Sequence, residues 1–171
     1  MTYIEDLSEY THAGSAYYRP VTKAVGWLSR GHKFDTVPPP DELLDLIWQY
    51  CKFPVAQMRG IHYCEFCASG LLAAHDSSSL LDGLRRADSQ QRADRNGESL
   101  SLGSAEIRIF GKDGIIYAAP TLIYHYVSVH HCRPPDEFLE ALRSGPRPPV
   151  PDYFDRLEKL DLRCNMRSSV G

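Results

Sequence analysis

One segment constrains this chain more than any other: Arg59-Gly-Ile-His-Tyr-Cys-Glu-Phe-Cys67, in which Cys64 and Cys67 stand three residues apart. Cys-x2-Cys is the spacing by which a single turn presents two thiolates to one tetrahedral ion. His62 lies two residues before Cys64, and on an extended strand residues two apart face the same side. Far along the chain stand His125 and His130, a His-x4-His pair within the spacing of Cys2His2 sites. If these groups share an ion, the fold has to bring two distant stretches together. Residues five apart on a regular helix point about 140° apart, but Pro134 ends the helix soon after His130, so its last turn can loosen. The candidate metal ligands are Cys64 and Cys67, then His125, then His62 and His130 close together. Five candidates compete for about four positions around a Zn2+ ion. His131 and Cys132 rank lower, although Cys132 falls nearly two turns beyond His125 on the same helix face.

Each candidate has a plainer reading. Cys64 and Cys67 fit two buried free thiols. They also fit a redox pair, though the strand leading into a helix that starts at a thioredoxin-like motif is not evident here. His125 and His130 fit hydrogen-bonded core histidines. His12, His32 and His75 read as surface or turn residues, Cys51 as core and Cys164 as tail.

The five cysteines are an odd number, so at least one stays unpaired within the chain. The first residues, MTYIEDLSEY, are acidic and polar, unlike a secretory leader, and no stretch reaches the roughly 18 apolar residues of a membrane helix. The chain is therefore expected to be cytoplasmic, where thiols and metal ligands are favoured over disulfides. A net charge of −3 argues against a general nucleic-acid binder. The expected partner is an unknown protein or small molecule, with no membrane association. With 171 residues, 43% of them hydrophobic, the chain can build a core without metal, so an ion would add to the fold.

Prolines and glycines mark the elements. Residues 21–28 read as a strand, and the three prolines before Asp41 break the chain, so that Pro40 or Asp41 starts a helix. That helix places Leu43, Leu44, Ile47 and Cys51 on one face, widened by Trp48 and Tyr50, and Pro54 stops it. Residues 55–63 read as a second strand weakened by Gly60. Residues 76–104, rich in Ser, Asp, Arg and Gly without an aromatic, read as a flexible insertion with one helical turn near 80–86. AEIRIF and IIYAA flank Gly111-Lys-Asp-Gly114 as a hairpin, with Ile107 and Ile109 on a buried face opposite Glu106 and Arg108. Pro120 is expected to open a buried helix that Pro134-Pro135 stops. Asp136 caps the next helix and Gly145 closes it. The last helix, after a proline-rich linker, docks through Tyr153, Leu157 and Leu160. The expected architecture is α+β: a small antiparallel sheet with packed helices and one metal site, in a single domain over 1–145, followed by linker, helix and tail over 146–171.

Other catalytic patterns are missing: no Gly-rich phosphate loop, no Gly-x-Ser-x-Gly, no His-Glu-x-x-His, and no His-x-Glu with Pro-Cys-x-x-Cys. Glu65 and Glu106 are the nearest carboxylates worth testing as a general base, though both read as solvated surface groups.

Several blocks taken together, Asp6-Leu-Ser-x-Tyr10, Val25-Gly-Trp-Leu28, Arg59-Gly-x-His-x-Cys-x-Phe-Cys67, Tyr117-Ala-Ala-Pro-x-Leu-Ile-x-His-Tyr-Val-x-x-His130 and Pro134-Pro-x-Glu-Phe138, resemble an uncharacterised bacterial protein family. The resemblance omits the 76–104 insertion and implies that His62, Cys64, Cys67, His125 and His130 fall in the family's two signature blocks. Cys132 stands where an aromatic residue is expected, which lowers its weight as a ligand. The resemblance implies no particular activity. Two functions compete. One is a zinc-stabilised binding or regulatory module, favoured by the thiolate-rich set. The other is a zinc-dependent enzyme, a hydrolase for example, in which a surplus histidine serves beside a metal-bound water.

Overall fold

A computed structural model of the chain describes residues 3–10, 22–67 and 92–164. The first strand, β1 (Thr22–Ala24), is shorter than the expected 21–28. Gly26 ends it: its φ is +79°, and its N–H donates to Asp6 Oδ1 at 2.8 Å instead of continuing a ladder. A side chain at Gly26 would also meet Ile123 at 2.9 Å, so the chain turns where only glycine fits.

Helix α1 (Asp41–Cys51) starts after the prolines, with Pro40 extended at its N-cap and Asp41 and Glu42 complementing the positive end of the dipole. It buries Leu43, Leu46, Ile47, Trp48, Tyr50 and Cys51, while Leu44 is only half-buried. The strand expected over 55–63 does not form. Val55 makes one antiparallel bridge to Glu106, and Ala56, at φ +49°, then turns the backbone away. The chain continues as an irregular loop, joined to its neighbour by the N–H of Met58 on Ser104 O and of His62 on Gly103 O, both at 2.8 Å.

Part of the expected insertion is ordered structure. Strands β2 (Arg92–Arg95) and β3 (Glu98–Ser101) form an antiparallel hairpin. Asn96-Gly97, with φ +53° and +79°, makes the reversal that suits the twist of paired strands. The hairpin rests on α1: Arg95 Nε lies 2.6 Å from Asp45 Oδ1, and Glu98 takes Lys52 Nζ and the Trp48 indole N–H. Leu102 to Ser104 are buried. The turn expected near 80–86 lies outside the described residues.

Strands β4 (Glu106–Phe110) and β5 (Ile116–Pro120) pair around a short 3-10 turn, and β1 joins β5 in parallel, giving the order β1-β5-β4. The fold is α+β, and the central sheet is mixed rather than purely antiparallel. Pro120 ends β5 instead of opening a helix, because the Thr121 N–H still bonds Ala105 O at 2.9 Å and carries the pairing one residue further. Helix α2 (Ile123–His130) comes next. Helix α3 (Asp136–Ser144) has Pro135 at its N-cap, and the Asp136 carboxylate is drawn to Arg133 rather than capping the backbone. Helix α4 (Pro151–Lys159) takes proline at its first position. It docks through Tyr153 and Leu157 into the same core as α1, and Leu162 supplies the buried contact expected of Leu160, which is half-buried. No helix among the described residues is long and apolar enough to cross a membrane.

Both faces of the sheet are covered, not one. Ile107, Ile109, Tyr117 and Ala119 lie on the main core. On the other face the small side chains of Ala24 and Ala118 leave room for Tyr10 and Trp27. Glu106 and Arg108 are 0% and 1% exposed there, so neither is a surface group. They pair at 2.8 Å, the Tyr10 hydroxyl donates to the second Glu106 oxygen, and the guanidinium lies 5.2 Å from the Tyr10 ring centre.

Candidate metal centre

The cysteine turn is positioned from both sides. On its inner side the 56–63 loop lies against residues 103–104. Gly103 has φ +84°, and an added Cβ would stand 2.4 Å from His62 O, so this approach requires glycine. On its outer side Arg30 clips the turn: its backbone N–H donates to Glu65 Oε2 at 3.1 Å and its guanidinium to Glu65 O at 2.7 Å. The first of these bonds holds the Glu65 carboxyl below its ordinary range, the opposite of what a general base near neutral pH needs. Phe66 packs edge-on between Phe34 and Tyr126, with the His130 ring 5.4 Å away.

The histidines come from α2, which is stopped by His131 in the left-handed region at φ +54°. The Cys132 N–H reaches back to Tyr126 O at 3.0 Å and closes the helix end. The exit is pinned by the Val37 N–H on His131 O and the Arg133 N–H on Asp35 O. The helix includes His130, and its end widens there: the His131 and Cys132 N–H groups both reach Tyr126 O rather than the carbonyl four residues back. The angular separation of the two histidines is bridged by the reach of the imidazoles, whose Nε2 atoms converge while the ring centres stay 5.1 Å apart.

Four donor atoms meet. Cys64 Sγ lies 3.2 Å from His130 Nε2, and Cys67 Sγ lies 3.4 Å from His125 Nε2 and 3.1 Å from His130 Nε2. The ligand atoms of Cys64, Cys67, His125 and His130 all lie within 4.8 Å of one another. Tetrahedral zinc, with sulfur at about 2.3 Å and nitrogen at about 2.0 Å, implies sulfur–nitrogen edges of about 3.5 Å. These three edges are slightly shorter, and with all four atoms within 4.8 Å the group could hold a metal ion. Without an ion, burial pushes the Cys64 thiol up to about 12. Burial, and then the neighbouring His130, push His125 down to about 4. His130 is lowered as well, by burial first and then by His131. Neutral imidazoles offer free lone pairs at neutral pH, whereas an ion has to displace thiol protons as it binds.

The other sequence candidates lie elsewhere. His62 is half-buried and outside the group of four, because the loop that carries it is not the strand that would have aligned it with Cys64. His131 is exposed at the helix cap. Cys132 lies beyond the end of α2, bridged to Thr36 and buried in the core, so helical spacing from His125 does not apply to it. Cys51 is core, its thiol 3.7 Å from Thr121 O, and Cys164 is half-buried. His32 stacks on Tyr3 with ring centres 3.4 Å apart. His12 and His75 lie outside the described residues. Gly103 and Thr121, which set the approach of loop and helix, carry no metal-ligand signature; Gly103 falls in the stretch read as insertion and Thr121 in the helix expected from Pro120.

No curated protein and no solved structure matches the chain. A family model described as a domain of unknown function, DUF7919, matches residues 2–143. That span contains both halves of the Cys/His group, and the chain belongs to this family.

Proposed function

We propose that the chain is a binding or regulatory module stabilised by one zinc ion held by Cys64, Cys67, His125 and His130. The observation that carries this reading is the convergence of two sulfur and two nitrogen donors from segments far apart in sequence. Mixed thiolate and imidazole ligands in tetrahedral array suit Zn2+ above the hard oxygen-seeking cations. Four protein donors close the coordination sphere, as structural sites do. The ion joins the cysteine loop to α2, and its binding energy adds to folding stability. A hydrolase would need one position left for a water to activate, and a closed set of four leaves none. With a net charge of −3, the partner is a protein or a small molecule rather than nucleic acid.

Elemental analysis of protein purified without chelators should find about one zinc per chain. Cobalt(II) in its place should give a tetrahedral thiolate spectrum that small anions leave unchanged. Absence of metal, with a melting temperature indifferent to added zinc, contradicts the reading. An anion-sensitive spectrum would move the chain to the open-site, hydrolase class.

A further inference from the structure

We infer that Thr121 is a positioning residue for the metal centre: through Gly103, its hydroxyl locks the cysteine loop to the start of the histidine helix. The inference rests on the zinc reading above. Thr121 is 2% exposed and stands between β5 and α2. Its Oγ1 accepts the Gly103 N–H at 2.9 Å in a buried hydrogen bond. The carbonyl of the same Gly103 accepts the His62 N–H at 2.8 Å, two residues before Cys64. On the other side the Thr121 carbonyl accepts the Tyr124 N–H at 3.3 Å, one residue before His125. A short path of hydrogen bonds thus runs from the His62 backbone, two residues before Cys64, to the Tyr124 backbone, one residue before His125, and passes through one side-chain hydroxyl. Two further ties of the loop, the Met58 N–H and the Gln57 side-chain amide on Ser104 O, lead to the neighbouring residue of the same segment.

The chemistry explains why threonine stands at this buried position. Valine would fill the same volume, and in an apolar core it would need no partner. A threonine is β-branched and stiff about χ1, so its oxygen holds a fixed direction. Gly103 packs backbone to backbone against His62, so closely that an added Cβ would stand 2.4 Å from His62 O, and the two segments are tied by that contact. Moving the hydroxyl therefore moves the loop, and with it the spacing between sulfur and nitrogen donors. Groups that orient metal ligands from outside the coordination sphere change metal affinity by roughly tenfold to a hundredfold when removed.

The test uses the full chain and cobalt(II) as the probe. Thr121→Val keeps the shape, removes the acceptor and strands the Gly103 N–H. Its cobalt affinity should fall by at least about tenfold, with weakened thiolate-to-cobalt absorption, and Thr121→Ser should restore both. A Val variant that melts lower but binds cobalt with unchanged affinity and spectrum makes Thr121 merely structural and overturns the inference. Should the Val variant fail to fold, amide exchange of the wild type decides. Coupling is reciprocal, so zinc should raise protection of the Gly103 and His62 amides more than that of Gly111, whose N–H closes the β4–β5 turn on Ile115 O. An equal rise at all three overturns the inference. A wild-type chain that takes up no cobalt removes the zinc reading and this inference together, whereas normal uptake by both wild type and Thr121→Val removes this inference alone.

Discussion

Among the described residues, the Tyr10, Glu106 and Arg108 group and the Cys/His group are both set into the core, and their charge is met by different means. Tyr10, Glu106 and Arg108 balance their charge within the protein: anion, cation and hydroxyl meet on one face of the paired strands. Cys64, Cys67, His125 and His130 present only donors of electron pairs, with no cation of the chain among them. The first cluster sits on a regular ladder with fixed register. The second joins an irregular loop to both ends of the short helix α2. A self-balanced cluster depends on nothing outside the chain, whereas a cluster of four ligands makes part of the stability depend on a metal.

The largest effect should come from breaking the self-balanced cluster. Arg108→Met leaves the Glu106 carboxylate buried without its cation, a loss of about 3–5 kcal/mol. Chemical denaturation should show that loss equally with and without zinc; a loss seen only in zinc-loaded protein would mean the two clusters are not independent. Next in size is removal of the metal. At free zinc a hundredfold above its Kd, loading should add about 2.7 kcal/mol, seen as a rise in melting temperature that a chelator reverses. Cys64→Ser, Cys67→Ser and His125→Ala should each shrink this rise, and His62→Ala should leave it in place.

A smaller effect is expected from pH in the metal-free protein. The folded pKa of His125 is depressed to about 4 from an ordinary 6.5, so the unfolded chain takes up the proton first. Stability is full above 6.5 and is lost as pH falls toward 4. Over the first pH unit below the ordinary value the loss should be on the order of 1 kcal/mol. Arg108→Met should keep this slope, and His125→Ala should flatten it. The smallest effect is expected at the surface. Arg95→Ala breaks an ion pair with Asp45, which is half exposed, and should cost less than about 1 kcal/mol. A cost rivalling that of Arg108→Met would show that the β2–β3 hairpin is more than a surface attachment.

The sequence carried the punctuation of the fold well. Pro40, the Gly111–Gly114 turn and Gly145 bound their elements close to where the residues imply, because backbone restriction is local, whereas α2 ends at His131, ahead of the Pro134-Pro135 stop. Long-range contacts were harder to read. The alternation in β4 resembles a half-exposed strand, yet its charged side is buried, where Tyr10, distant in sequence, meets Glu106 and Arg108. Asn96-Gly97 is a strong hairpin signal, masked by the polar composition around it. At the centre, ligand spacing pointed to the four residues that meet. The same reasoning added His62, because strand periodicity was applied to a loop that Ala56 turns out of the sheet. Gly103 and Thr121 had no signal of their own, since what they do depends on a contact between segments.

X-ray absorption at the zinc edge tests the central claim most directly. For protein loaded with one equivalent of zinc, it should show two sulfur neighbours at about 2.3 Å and two nitrogen neighbours at about 2.0 Å. Loss of one sulfur in Cys67→Ser and of one nitrogen in His130→Ala would identify the donors. A first shell of oxygen and nitrogen alone, or one in which His130→Ala changes nothing, would contradict the account.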